Sequence, residues 1–220
     1  MAAGIVSYGA YVPIYRLSRE EITKVWERGS SKGEKAVANC DEDSLTMGVA
    51  AGMDCLKGFD KERVDGLYFA STSTPYREKQ SASIIAAALD LQPQVFTADF
   101  CNSLRCGASA LRAAVDAVNA GAAKNVLVIA SDSRLPPPNS TFESLMGDGA
   151  AAFLIGEDDV LATIEGRYTV LSPLLDIWRK ERGDKYMRSW EDRFIIEKGY
   201  TAYLKEAVRG LLKNYSSHCE

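Results

Sequence analysis

Five cysteines, at positions 40, 55, 101, 106 and 219, and a single histidine, His218, are the residues of this 220-residue sequence to test first for nucleophilic or metal chemistry. The cysteine count is odd, no pair has C-x-x-C spacing and only one histidine stands beside them, which argues against a disulfide framework and against a zinc or other metal site. They read as reduced thiols, with burial in a core as the default role. Cys106 falls in the first turn of an alanine-rich helical pattern, where the helix dipole would act on its thiol. Cys101, at the end of the preceding strand pattern, is the second candidate; for both, a reactive thiol and structural packing stay open as readings. Among other groups, Glu78 is either an acid/base residue or a solvated loop carboxylate. Asp132 and Arg134 are expected to form a rim salt bridge. Gly147-Asp148-Gly149 reads as a sharp turn in which Asp148 bonds neighbouring N–H groups.

Positioning these groups requires alternating strands and helices. Short β-branched and aromatic runs bounded by turn residues predict strands over Gly4–Pro13, Val64–Ser71, Gln94–Phe100 and Asn125–Ser131. Between them, Asp43 or Ser44 caps a helix running to about Lys57, Ser81 opens one to about Leu91, and Ser103 opens one to about Ala120 with Gly121 as its stop. This alternation predicts an α/β fold with a mixed, mostly parallel sheet covered on both faces. The helix containing Cys106 carries small or apolar residues nearly all round and is expected to be buried on every side. After Pro136-Pro137-Pro138, the apolar runs Ala150–Gly156 and Val160–Leu171 suggest an antiparallel pair closing the sheet. Composition changes near residue 173: Asp176–Lys198 reads as an insertion or lobe, followed by an amphipathic helix over roughly Tyr200–Tyr215. The domain reading is therefore 1–172 and 173–220.

The composition, 46% hydrophobic and 25% charged, is that of a globular chain rather than a disordered one. A formal charge of -4 with scattered Lys and Arg offers no stripe for a phosphate backbone, so nucleic acid is an unexpected partner. No apolar run approaches the roughly 20 residues that span a bilayer, and the start lacks a basic segment followed by an apolar one, so no membrane association and a cytoplasmic location are expected.

Several motifs then appear in a fixed order: the opening Gly4-Ile5-Val6-Ser7-Tyr8-Gly9-Ala10-Tyr11-Val12-Pro13, Asp41-Glu42-Asp43-Ser44 before a helix, Ala70-Ser71-Thr72-Ser73-Thr74-Pro75-Tyr76, Asp99 ahead of the alanine-rich helix, Val128-Ile129-Ala130-Ser131-Asp132, and Met146-Gly147-Asp148-Gly149-Ala150. In this order they resemble the amino-terminal half of hydroxymethylglutaryl-CoA synthases of the thiolase superfamily, and are similar to ketoacyl-ACP synthase III. The resemblance implies one βαβαβαββ half of a thiolase-like fold around a buried helix, a homodimer, acyl-CoA as substrate with no cofactor, and an OB-fold partner subunit of the kind some relatives have. It also implies that the catalytic histidine and asparagine come from the other half. A half-fold alone would leave an apolar face uncovered, which fits a truncated chain, a split enzyme or an obligate assembly.

In the family pattern the nucleophilic cysteine lies five residues after the strand-ending Asp and seven before an Ile or Leu of the helix. Counting from Asp99 and from Leu111 both reach Leu104, which cannot be acylated. The family's general acid/base glutamate falls on Thr72, which does not titrate near neutrality. The resemblance thus implies a CoA-thioester acyltransferase making or breaking a carbon–carbon bond next to the thioester, with Cys106 and Cys101 as the remaining thiols. A cysteine-independent aldolase and a non-catalytic acyl-CoA-binding subunit are the alternatives.

Overall fold

The computed structural model describes residues 3–27, 32–180 and 184–216, in two compact units, Met1–Thr163 and Ile164–Glu220. His218 and Cys219, named above, lie outside the described residues.

The first unit opens with β1 (Gly4–Tyr11) and an arm made of β2 (Tyr15–Ser18), α1 (Arg19–Val25) and β3 (Glu34–Val37), in which β2 and β3 pair antiparallel. Sequence periodicity predicts no element over this arm, because its elements are short and rich in charge and show no sustained apolar period. There follow α2 (Ser44–Cys55), β4 (Gly66–Ala70), α3 (Ser81–Ala88), β5 (Phe96–Phe100), α4 (Cys106–Asn119), β6 (Val126–Asp132), α5 (Thr141–Leu145), β7 (Gly149–Gly156) and β8 (Ala162–Thr163). Setting aside the arm, the short α5 and the edge strand β8, the order is βαβαβαββ, as the resemblance implied. Asp43 starts α2 with a capping box: its carboxylate accepts from the N–H groups of Leu45 and Thr46, and the Thr46 hydroxyl accepts from the Asp43 N–H.

The sheet order is β5-β4-β6-β7-β1-β8. β4 runs parallel to β5 and β6, whereas the β6–β7, β7–β1 and β1–β8 pairings are antiparallel. The sheet is therefore mixed, as expected, with three of its five pairings antiparallel: only its β5-β4-β6 part is built by helical crossovers, and the direct β6-to-β7 connection reverses the chain. The two late apolar runs also do not pair with each other. β1 lies between β7 and β8, and only Ala162–Thr163 of the second run is strand. A half-buried apolar run reports that a strand exists but not which neighbour completes its ladder.

The chain steps from β4 outward to β5 and returns past β4 to β6, so crossovers of one hand place α3 and α4 on opposite faces. Side-chain alternation agrees. Leu67, Phe69, Leu127 and Ile129 join Met47, Ala51, Ile85 and Leu89 in the core beneath α2 and α3, while α4 packs on the other face of β4, β6 and β7. α4 is not enclosed on every side. Cys106, Ala110, Ala114, Val115 and Val118 are buried, but Ala108, Arg112 and Asp116 are exposed, and Arg112 and Asp116 form an i,i+4 ion pair on the outer side. The many alanines concealed this polarity, because alanine suits either side of a helix. The helix also starts at Cys106 rather than Ser103, since Ser103 spends its hydroxyl and carbonyl on a tight turn to the N–H groups of Arg105 and Cys106.

In the second unit, β9 (Ile177–Trp178) and β10 (Arg188–Ser189) form a small antiparallel ladder. α6 (Asp192–Phe194), a π-helical turn over Ile195–Tyr200 and α7 (Thr201–Ser216) then make one continuous helical run.

β1 and α2 approach so closely that a methyl group on Gly9 would lie 2.2 Å from the Cys55 nitrogen and 2.6 Å from the Ala51 oxygen. Both are backbone atoms and cannot swing aside. Gly9→Ala is expected to lower unfolding stability by about 1–3 kcal/mol, the usual range for forced overpacking, read as a lower denaturant midpoint at unchanged slope.

Candidate active site

The carboxyl ends of β4, β5 and β6 lie side by side in the parallel part of the sheet, the location where ligands bind in open α/β folds. Three loops leave from there: 71–80 after β4, 101–105 after β5 and 133–140 after β6. They carry most of the residues singled out from the sequence.

Asp132, the last residue of β6, ties the first of these loops to the third. Its Oδ1 accepts hydrogen bonds from the Ser71 hydroxyl at 3.1 Å, the Thr72 N–H at 2.8 Å, the Thr72 hydroxyl at 3.0 Å and the Ser73 hydroxyl at 2.8 Å. The Ser73 hydroxyl in turn accepts from the Ser133 N–H at 2.9 Å, and Ser44 at the start of α2 donates to the Ser73 carbonyl at 2.9 Å. Instead of the expected rim bridge to Arg134, hydroxyls and a backbone N–H fill this oxygen. A carboxylate offers about four acceptor sites over its two oxygens, so the four donors crowd this one oxygen, and each bond is charge-assisted. Thr72 is thereby held at the mouth of the site with its hydroxyl committed to Asp132. Glu78 stays exposed in the same loop.

Cys106 occupies the first position of α4 and is 7% exposed, whereas Leu104, in the turn just before it, is 50% exposed. Cys101 is half-buried directly after β5. The dipole advantage expected for Cys106 is overcome. Burial pushes its thiol pKa up, and the negative charge of Asp132 and the neighbouring Cys101 add to this, against smaller opposing help from the N–H groups of Gly107 and Cys106 itself. Cys55 is a core thiol, pushed up to about 11 by burial, while Cys40 is exposed and departs from the expectation of burial.

Two acidic residues have positions that the sequence did not reveal. Asp99, a counting landmark in the sequence, accepts from the N–H groups of Ser81 and Ala82 at 2.7 Å each and so caps α3 from the neighbouring strand. The helix cap falls on Gln80, which makes no side-chain cap bond of its own, and Ser81 lies inside the helix. Asp148 bonds across to the arm, not within its own turn: its Oδ2 accepts from the Ala38 N–H at 2.8 Å and its own N–H donates to Ala36 at 3.1 Å. Among the described residues no three His, Cys, Asp or Glu side chains gather as a metal site, and no helix is long and apolar enough to cross a membrane.

The Cys106 environment gives a direct expectation. A thiol with a raised pKa is protonated at neutral pH, so alkylation of Cys106 by iodoacetamide should rise with pH and reach its midpoint above that of the same residue in the urea-unfolded chain, which titrates near about 8.5. Asp132→Asn removes the nearby negative charge and should shift the native midpoint downward. Peptide mapping across a pH series measures both; a native midpoint below the unfolded one would contradict the assignment.

Comparison with known proteins fits this geometry. The family profile of 3-oxoacyl-[acyl-carrier-protein] synthase III matches residues 98–167. The hydroxymethylglutaryl-CoA synthase of Thermococcus sibiricus is 37% identical over 96% of this chain and 61% of its own length, and that of Methanocaldococcus jannaschii is 34% identical over 99% and 65%. A solved structure described as HMG-CoA synthase complexed with CoA superposes with a TM-score of 0.88 at 21% identity, covering 98% of this chain and 57% of that one; at that identity the likeness speaks for the thiolase-like fold. With motif order, strand order and close to its full length in agreement, the chain is a homologue of the hydroxymethylglutaryl-CoA synthases and spans about three fifths of the length of the curated relatives it matches.

Proposed function

We propose that the chain binds an acyl-CoA and supplies part of the site of a CoA-thioester acyltransferase of the hydroxymethylglutaryl-CoA synthase or ketoacyl synthase type, one that makes or breaks a carbon–carbon bond next to the thioester. The observation that carries the reading is the convergence of the Asp132-anchored loop, the start of α4 and the turn holding Leu104 at the carboxyl ends of the parallel strands. The relatives at 34–37% identity carry the synthase name.

Within that class, one observation favours the cysteine-independent alternative. Leu104, reached by counting to the nucleophile position, presents a half-exposed aliphatic side chain. The nearest substitute, Cys106, is buried and poorly ionised, and a thiol must ionise to attack a thioester. Carbon–carbon chemistry without an acyl-enzyme remains open to such a site. An enolate next to a thioester needs hydrogen-bond donors aimed at its oxygen, and at the start of α4, where the Cys106 N–H is bonded to the Ser103 carbonyl and no side chain caps the first turn, the N–H groups that follow Cys106 are of the required kind. The non-catalytic acyl-CoA-binding subunit is the remaining alternative. A homodimer, an OB-fold partner subunit and the cytoplasm, as expected from the sequence, belong to this same proposal.

Incubation with mass-tagged acetyl-CoA followed by peptide mapping tests it. Saturable binding without a covalent adduct on the peptide spanning Cys101 and Cys106 is the expected result. An adduct abolished by Cys106→Ser but retained in Cys101→Ser would restore a transferase with a displaced nucleophile, and failure to bind acetyl-CoA would overturn the reading as a whole.

A further inference from the structure

The last helix of the second unit gathers cations that are dispersed along the sequence. Lys205, Arg209 and Lys213 recur at every fourth position of α7, so one side of the helix carries all three at steps of about 6 Å. With Tyr168, Glu206 and Gly210 they line a groove of about 560 Å³, a size usual for small-ligand clefts. None of the three cations is in an ion pair among the described residues, whereas Arg193, earlier in the same helical run, is paired with Glu197 at 2.8 Å. Charge is also divided unevenly along the chain. Residues 164–220 hold eleven Lys and Arg against nine Asp and Glu, while residues 1–163 hold fifteen against twenty-one, so the groove lies in the basic part of an acidic protein.

The aromatic wall of the groove is fixed by the helix. A methyl group on Gly210 would lie 2.3, 2.4 and 2.6 Å from three carbons of the Tyr168 ring, so glycine at this position is what lets the ring rest on the backbone. Tyr168 still keeps 43% of its surface open, which leaves an aromatic surface beside the three cations. Glu206 adds a group that, when ionised, only accepts hydrogen bonds. A bare polyanion would gain from the cations and be repelled by this carboxylate. A ligand carrying phosphates, hydroxyls and a flat ring suits every member of the set: phosphate oxygens on Lys205, Arg209 and Lys213, a sugar hydroxyl donating to Glu206, and the ring against Tyr168.

We propose that this groove binds a phosphorylated nucleoside. Free nucleoside polyphosphates and the nucleotide end of coenzyme A share that chemistry. Two macromolecular occupants fit less well. A nucleic-acid strand repeats its phosphates at every step and sets one against Glu206, and an acidic protein surface offers the cations their counter-charges but leaves the open Tyr168 ring without a flat partner. The proposal rests on the groove itself and does not depend on which thioester reaction the chain serves.

Calorimetric titration of the chain with ATP tests it, and saturable binding is the expected result. Lys205→Gln/Arg209→Gln should weaken ATP at least about tenfold, because charge-assisted bonds are lost. Tyr168→Leu should weaken ATP at least about fivefold while leaving inorganic tripolyphosphate unchanged, since only the nucleoside has a base to stack. Glu206→Gln should strengthen tripolyphosphate binding more than ATP binding. Lys198→Gln, at an exposed lysine of the same helical run outside the groove, should change nothing, and circular dichroism should report unaltered folding for all of these surface variants. The proposal is overturned if ATP does not bind saturably, if the groove substitutions leave its affinity unchanged, if tripolyphosphate binds as tightly as ATP, or if an oligodeoxyadenylate binds more tightly than ATP. Repeating the titration in excess acetyl-CoA and in excess acetyl-pantetheine separates the two sources: competition by acetyl-CoA alone assigns the groove to the nucleotide end of coenzyme A, and no competition assigns it to a free nucleotide. Acetyl-CoA binding by the wild-type chain is read separately, so failure here and failure of the proposed function are distinguishable.

Discussion

One carboxylate oxygen, Oδ1 of Asp132, organises the candidate site. Four hydrogen bonds from Ser71, Thr72 and Ser73 converge on it, and through Ser73 it reaches the backbone of Ser133. Because β4 and β6 are parallel neighbours, their carboxyl ends coincide, and a charge at the end of one can gather the loop leaving the other. Charge-assisted bonds at partly buried positions are stronger than neutral ones, and removing the acceptor would leave several donors unmatched at once. The loop carrying Thr72 is thus positioned by the sheet and not by its own sequence.

The same carboxylate affects the thiol chemistry. Its negative charge reaches Cys106 and works with burial to oppose ionisation. A helix amino terminus ordinarily does the reverse. What decides the balance is that Cys106 points into the packed side of α4, while the residue two positions earlier, Leu104, faces solvent. Leu104 lies in the turn ahead of α4 and Cys106 in the first turn of the helix, so the two side chains face different surroundings and a sulfur at one does not stand in for a sulfur at the other.

The close approach of backbones is the other structural constraint. Gly9 lets β1 lie against α2, Gly48 and Gly52 let α2 settle among Phe69, Ile85, Leu89 and Ile129, and Gly107 brings α4 against Ala130. Small residues at these contacts keep helices on both faces of a narrow sheet, which fixes the three carboxyl-end loops relative to one another. In the second unit Gly199 and Gly210 play a comparable part, and it is their contact with Leu174 and Tyr168 that determines which side of the last helix stays bare.

The sequence by itself determined the alternation of the main strands and helices, the capping of α2 by Asp43, the motif order and the aliphatic residue at position 104, because each is written in local periodicity, cap chemistry or spacing. Tertiary structure alone decided that β1 separates β7 from β8, that α4 has an outer polar side, and that Asp99, Asp132 and Asp148 bond across elements. The physical reason is common to all of these. Local pattern reports what a segment buries, whereas the identity of a strand neighbour or a carboxylate's donors depends on residues as far as 110 positions away, as with Asp148 and Ala38, and is set only when the elements pack.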